Sequence, residues 1–405
     1  MQITDVKLFL INKPHTVDFG PGNAGNHAIV KVETDDGTHG IGEAFHSLDE
    51  IVGGGVRKFR RWLLGQDPTR VLHNWNAIYR GMRYPLGTGE LSALSAIEQA
   101  LWDIAGKACG LPVYSMLGGP VRDRIKVYAS GGVWSQWPEM QGLPLHEQAK
   151  RLVGKGWTGL KFTPQATDYY SNPPRVTWTE AAKSPASELE ESIDRVRQVR
   201  EGVGPDVDIC LDFHGRSFSP ADAIRMARGL EPFHPYFLEE PALTENPDQL
   251  LEVKAQTSIP IAGGERVVHR DLFKTVVDKR AVDIIQLEPT ACGGILETVK
   301  RAATAELANI LLAPHHACSP VALCACAQID ACVPNFLVQE VNDDVTSAFN
   351  RELFSPLPEI ADGYLELPTG PGLGIDLNEE AAAAYPPKEF DRPVVIKPDG
   401  SVGLE

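Results

Sequence analysis

No run in this 405-residue chain is apolar for long enough to cross a bilayer, which takes about 20 consecutive residues. The start, Met1-Gln-Ile-Thr-Asp-Val-Lys-Leu8, lacks a basic stretch followed by an apolar one, so no secretory signal is expected. Positive charge is scarce: 38 Lys+Arg stand against 54 Asp+Glu, a net charge of −16. That excludes the basic stripe needed to hold nucleic acid. It also means that an anionic ligand needs local cations, from Lys, Arg or a metal. Disulfide spacing is missing too: the seven cysteines are odd in number, form no CxxC pair, and several sit inside apolar runs. Reduced, buried thiols in a cytoplasmic protein are the expectation. The Gly-rich stretch 19–26, which includes Gly20-Pro-Gly-Asn-Ala-Gly25, leads into no helix. It is expected to be a mobile loop rather than a phosphate cradle.

What is present is a rhythm. Six short apolar runs in succession end in an acid or a histidine. They are Val207-Asp-Ile-Cys-Leu-Asp212-Phe-His214, Tyr236-Phe-Leu-Glu239-Glu240, Ile259-Pro-Ile-Ala-Gly-Gly-Glu265, Val282-Asp-Ile-Ile-Gln-Leu-Glu288, Ile310-Leu-Leu-Ala-Pro-His315-His316 and Phe336-Leu-Val-Gln-Glu340. The endpoints recur about every 25 residues, one strand plus one helix of a (β/α) barrel. Such barrels carry their chemistry at the C-terminal ends of the strands, so the six endpoints line one mouth with carboxylates and imidazoles. Residues 125–130 and 159–163 supply the two strands before them.

The first segment reads differently. Residues 3–12, 28–34 and 38–43 alternate as antiparallel strands, with hairpin chemistry at Asp35-Asp36-Gly37. Helical patterns follow over 49–83 and 91–109. The organisation expected is an α+β capping domain over 1–124, a modified (β/α)7β barrel over 125–345, and a segment over 346–405 returning to the cap, with a strand pair in 363–375. Between them, 164–185 has no periodicity, the mark of a lid or binding loop.

Asp212, Glu239 and Glu265 end three consecutive strands, so their carboxylates converge. Three hard oxygen ligands suit Mg²⁺ better than Zn²⁺. Glu240 competes with Glu239, since adjacent strand residues face opposite ways. His214 shares a face with Asp212 and is a general acid or base near neutral pH. One of His315 and His316 faces the site, and spacing leaves open which. Glu288, one strand earlier, can orient that histidine or else pair with Arg266. Lys161 and Arg266 are the cations for an anionic substrate or else ordinary barrel ion pairs, and Glu340, if protonated or paired with a cation, can bond the far oxygen of a substrate carboxylate.

These residues, in this order, resemble the mandelate racemase-like branch of the enolase superfamily. The resemblance runs through Ala100-Leu-Trp-Asp-Ile-Ala-Gly-Lys107, Leu117-Gly-Gly119 and Pro371-Gly-Leu-Gly-Ile375. Within the branch the chain is most similar to acid-sugar dehydratases of the D-galactonate dehydratase kind. That likeness rests on Leu211-Asp-Phe-His-Gly-Arg216, Phe237-Leu-Glu-Glu-Pro241, Ala262-Gly-Gly-Glu-Arg266, Ala313-Pro-His315 and Gln339-Glu340. It implies one Mg²⁺ on Asp212, Glu239 and Glu265, and His315 as the base at C2. It also implies His214 as the acid at the C3 hydroxyl, a 2-keto-3-deoxy product and a homo-oligomer. The cap, with His46, would close over the polyol end.

Three departures matter. The family has Asp where this chain has Glu288, one methylene longer. His316 adds a second histidine. Lys161 and Thr163 stand where racemases carry Lys-x-Lys, which favours histidine-based dehydration. Two other readings stay open: an epimerase exchanging the C2 proton between His214 and His315/His316, and a non-catalytic relative that binds metal and sugar acid.

Overall fold

The computed structural model describes residues 1–13, 25–45, 49–131, 140, 142–165, 185–216, 219–342, 345–389 and 401–402. Three antiparallel strands open the chain: β1 (Ile3–Asn12), β2 (Asn26–Thr34) and β3 (His39–Ala44), in spatial order β1-β2-β3. Their expected alternation holds, and Gly37 takes φ 86° in the turn between β2 and β3. Helices α1 (Asp49–Leu63), α2 (Val71–Gly81), α3 (Thr88–Cys109) and the short α4 (Val113–Met116) follow. The helical pattern expected over 49–83 is two helices, because the chain turns at Gly65 with φ 78°. Helix α3 packs so tightly on β3 that a Cβ at Gly40 or Gly42 would lie 2.1 or 2.2 Å from the carbonyls of Ala100 and Ala96. Only glycine fits that approach.

Eight parallel strands then form the barrel: β4 (Arg124–Ser130), β5 (Gly159–Phe162), β6 (Asp208–Asp212), β7 (Phe237–Glu239), β8 (Ile261–Gly263), β9 (Ile284–Ile285), β10 (Leu311–Leu312) and β11 (Gln339–Asn342). Between them run α5 (Leu145–Gly154), α6 (Pro185–Val203), α7 (Pro220–Leu230), α8 (Pro247–Lys254), α9 (Arg270–Lys279), α10 (Ile295–Leu307) and α11 (Pro320–Asp330). Strand β11 closes the ring on β4, with Glu340 opposite Tyr128. The remaining joint is the Leu312–Phe336 bridge, where Leu337 N donates to Leu312 O at 2.7 Å. This is the (β/α)7β barrel expected.

The barrel explains the rhythm in the sequence. Tyr128, Cys210, Phe237, Ala262, Ile284, Ala313 and Val338 form one interior cluster. Two residues further along each strand, on the same face, come Ser130, Asp212, Glu239, Gly264, Gln286, His315 and Glu340. An apolar plug therefore lies beneath a polar layer.

The tail comprises α12 (Ala348–Leu353), β12 (Phe354–Ser355), β13 (Ile360–Ala361), β14 (Tyr364–Glu366), β15 (Asp376–Leu377) and α13 (Glu379–Ala382). The strand pair expected to reach the cap differs from that expectation. Strand β14 pairs with β13 and, antiparallel, with β4 of the barrel, burying Leu365 against Ile125, Val127 and Val341. The reach to the cap comes just after it. Leu373 N donates to Asp103 Oδ1 of α3 at 2.9 Å, and Asn12 N donates to Tyr385 O at 3.1 Å. Among the described residues no helix is long and apolar enough to cross a membrane, and all seven cysteines are free thiols.

Candidate active site

Lys161 stands at the centre of the polar layer. Its Nζ lies 3.1 Å from Asp212 Oδ2, 2.9 Å from Glu239 Oε2 and 2.7 Å from Glu340 Oε1, with only 5% of the side chain exposed. Of its two expected roles, cation for substrate or barrel ion pair, the structure shows the second, shared among three carboxylates. Period two turns it inward at their level. Burial disfavours its charge, but Glu239, Glu340 and Asp212 outweigh that and hold its pKa well above the usual value.

The carboxylates divide. Burial works against Asp212, yet His214 and Lys161 hold its pKa low. Glu340 is also held low, by Lys161 and His315 acting against burial. Glu239 goes the other way: burial and the charge of Asp212 push it well up, and its Oε1 has no partner. Of the adjacent acids, Glu239 faces Lys161. Glu240, at φ 39°, turns to Arg266 Nε at 2.8 Å and Thr244 Oγ1 at 2.7 Å. Arg266 is thus tied to Glu240 rather than free for substrate, and it is not the partner of Glu288.

His315 lies between two acids. Its Nδ1 is 2.7 Å from Glu288 Oε2, and its Nε2 is 3.1 Å from Glu265 Oε2. Burial lowers its pKa, but Glu265, Glu340 and Glu288 together push it up to about 10. His316 faces away: its Nε2 is 3.1 Å from the Ser319 carbonyl, and burial holds its pKa down. So the open choice between the two histidines is resolved in orientation, with His315 toward the acids. The extra methylene of Glu288 does not break the pairing. Its other oxygen, Oε1, accepts from Thr290 N at 2.8 Å and Thr290 Oγ1 at 2.6 Å.

His214 follows β6 with φ 50°, a left-handed turn. Its backbone N donates to Asp212 Oδ1 at 3.0 Å, and its Nδ1 lies 3.3 Å from the same oxygen. Desolvation holds its pKa below the ordinary value, with Asp212 pulling upward. His46, the 19–24 part of the Gly-rich loop and the 166–184 part of the expected lid lie outside the described residues.

Among the described residues, no three His, Cys, Asp or Glu side chains stand gathered as a metal cage. The donor chemistry nevertheless fits a hard cation. Asp212, Glu239 and Glu265 offer only oxygen, and Glu239 brings a buried oxygen without a partner beside a like charge.

Two interior residues escaped the sequence reading. Gln286 is fully buried with neither amide atom bonded, and the Tyr128 hydroxyl is buried without a partner. Stepping back by two from Glu288 would have found Gln286. Tyr128 had no such anchor.

A (β/α)7β barrel with an acid-and-histidine mouth under an α+β cap defines a class, and comparison with known proteins agrees. Residues 144–381 match the enolase C-terminal domain-like family, and 3–118 match the mandelate racemase / muconate lactonizing enzyme N-terminal domain. The chain belongs to the mandelate racemase / muconate lactonizing enzyme family of the enolase superfamily. It is 34% identical to a D-galactonate dehydratase of Variovorax paradoxus over 97% of this chain and 99% of that one. It is 35% identical to one of Ralstonia nicotianae, over 92% of this chain and 95% of the relative. A solved enolase structure from Agrobacterium radiobacter, with bound sodium and L-malate, superposes over all of both chains with TM-score 0.86 at 29% identity.

Proposed function

We propose that this chain is an Mg²⁺-dependent lyase that dehydrates an aldonic or related acid sugar to a 2-keto-3-deoxy acid. The observation that carries the reading is His315, held by Glu288 on one nitrogen and facing Glu265 with the other. Likeness over nearly the full chain to D-galactonate dehydratases supports it, as does a relative that binds a 2-hydroxy acid, L-malate.

Asp212, Glu239 and Glu265 would hold the metal. When bound, Mg²⁺ supplies positive charge against the substrate carboxylate and stabilises the enediolate left by α-proton loss. Every other step belongs to the chain's own groups. Glu288 accepts from His315 Nδ1, which fixes the ring and leaves Nε2 as the working nitrogen. Glu265 is the largest of the charges keeping a proton on that ring, so drawing Glu265 away frees Nε2 to take the proton from C2. The C3 hydroxyl then leaves as water with a proton from His214, whose lowered pKa makes it the stronger acid once protonated. The enol product ketonises. Lys161 keeps the Asp212 and Glu340 carboxylates ionised.

The non-catalytic alternative was motivated by the longer Glu288. Glu288 Oε2, at 2.7 Å from His315 Nδ1, supports the catalytic reading over that alternative. The test is a screen of an acid-sugar library for 2-keto product, with Mg²⁺, with EDTA, and with His315→Asn. Product that requires both metal and His315 is expected. Recovered substrate carrying solvent deuterium at C2, with inverted configuration and no keto acid, would instead establish epimerisation.

A further inference from the structure

Helix α3 belongs to the cap, yet it reaches the turn that carries Glu288. The helix is buried along most of its length, so it has no clear polar face. Inside it, Ser92, Ser95 and Glu98 recur every third residue and are all buried. Each finds its partner in the turn between β9 and α10. Ser92 Oγ donates to Thr290 O at 2.9 Å. Gly293 N donates to Ser95 Oγ at 2.8 Å. The α10 N-terminus donates to Glu98, from Ile295 N at 2.7 Å and Leu296 N at 2.9 Å. Trp75 of α2 adds a bond from Nε1 to Gly293 O at 2.9 Å. The fit is close: a Cβ at Gly294 would lie 2.1 Å from Glu98 Oε2.

The same turn aims the dyad. Thr290 gives both its N–H and its hydroxyl to Glu288 Oε1, leaving Oε2 for His315 Nδ1. Ser92 also accepts from Phe45 N at 2.7 Å, and the Phe45 ring lies 6.2 Å from that of His315. The chain of contacts is continuous from cap to imidazole.

We propose that Thr290 and Ser92 are positioning residues: the polar stripe of the cap clamps the turn after β9 so that a glutamate, with one more rotatable bond than aspartate, still meets His315. Two donors on one carboxylate oxygen fix its plane and remove the freedom the extra methylene adds. The proposal rests on the reading of His315–Glu288 as the proton-transfer pair, but the geometry can be tested without substrate.

The experiment uses the full chain, with Thr290→Val, Thr290→Ser and Ser92→Ala. The first readout is the low-field proton NMR resonance of His315 Nδ1–H, assigned by its loss in His315→Asn. It is expected to move upfield or broaden in Thr290→Val, to do so less in Ser92→Ala, and to recover in Thr290→Ser. An unchanged resonance in both Thr290→Val and Ser92→Ala overturns the proposal. If Thr290→Val does not fold, Ser92→Ala carries the test. The second readout uses whichever acid sugar the screen identifies. There kcat falls about tenfold with KM unchanged, and Thr290→Val adds nothing on top of Glu288→Gln. A KM effect alone, or full additivity, overturns the proposal. If no acid sugar turns over, the functional reading fails while the resonance still decides the clamp.

Discussion

The two ends of helix α11 each meet a buried carboxylate. At its N-terminus, at the barrel mouth, Glu43 of β3 accepts from Ser319 N at 3.0 Å and Ala322 N at 3.2 Å, and also from the Ser319 hydroxyl. At its C-terminus Asp330 is fully buried and neither oxygen is bonded. The nearest cation, Arg122, gives its guanidinium to the carbonyls of Asp330 and Val333. A helix presents free N–H groups and the positive end of its dipole at its start, and carbonyls at its end. In a (β/α) barrel every such start lies at the C-terminal ends of the strands. The mouth therefore offers a buried acid hydrogen-bond donors where the opposite rim offers carbonyls. Glu98 of α3 meets the N-terminus of α10 in the same way, although burial still pushes its pKa up to about 7.

The largest expected effect strips the mouth of its imidazole. His315→Asn should lower acid-sugar turnover by about 10²–10⁴-fold, and it should also lower stability because Glu288 and Glu265 lose a buried partner. A variant within threefold of the parent would move proton transfer to another residue.

Lys161→Met makes the mouth more like the far rim, because Asp212, Glu239 and Glu340 lose the ammonium they share. Removing one partner of a buried charge cluster costs about 3–5 kcal/mol, measurable by urea unfolding. Millimolar Mg²⁺ should restore part of that loss if Asp212 and Glu239 take a divalent ion. Equal stability with and without the metal would count against their role as ligands.

Asp330→Asn works at the other rim. Burial raises the Asp330 pKa well above its ordinary value, with Arg122 opposing. A carboxyl raised on folding keeps its proton where the unfolded chain has lost it. Its stabilising contribution is thus present at low pH and is lost as pH climbs above about 4. The amide does not titrate, so its advantage over the parent should grow as pH rises above about 4, by at most about 1.4 kcal/mol per pH unit. Chemical denaturation of both proteins across that range checks it. A gap independent of pH would mean that Asp330 has found a partner in solution.

The sequence made the barrel legible because inward side chains repeat at period two and the strand ends repeat at βα spacing. Asp212, Glu239, Glu265, Glu288, His315 and Glu340 all followed from that pattern. What it could not supply were partners across the fold. Nothing local ties Lys161 to three acids, Arg266 to Glu240, or Ser92 to Thr290, because these pairs form only when separate elements pack. Orientation at adjacent positions was also out of reach. Glu240 separates from Glu239 through a backbone turn, φ 39° at Glu240, and His316 from His315 through contacts with Ser319 and Glu288, not through residue type. Glu43 and Glu98 were passed over for a further reason: an acid inside a cap strand or helix looks like a local feature until another helix's N-terminus is set against it.

The smallest expected effect tests that last contact. Glu43→Gln keeps shape and one acceptor oxygen but loses the charge and turns an N–H₂ toward the donors of α11. Helix-capping acceptors and dipole-aligned charges contribute about 1–2 kcal/mol, so the variant should unfold at slightly lower urea concentration with an unchanged slope. Since Ser319 also caps α11 itself, by accepting from Val321 N at 3.1 Å, the helix persists and the loss stays near the lower figure. Its position gives a second reading: α11 begins four residues beyond His316, whose Nε2 faces the Ser319 carbonyl. Loosening this cap should therefore cost more in turnover than the equally conservative Asp330→Asn, which leaves the mouth untouched. If the two variants changed turnover alike, the contrast between the ends of α11 would concern stability alone.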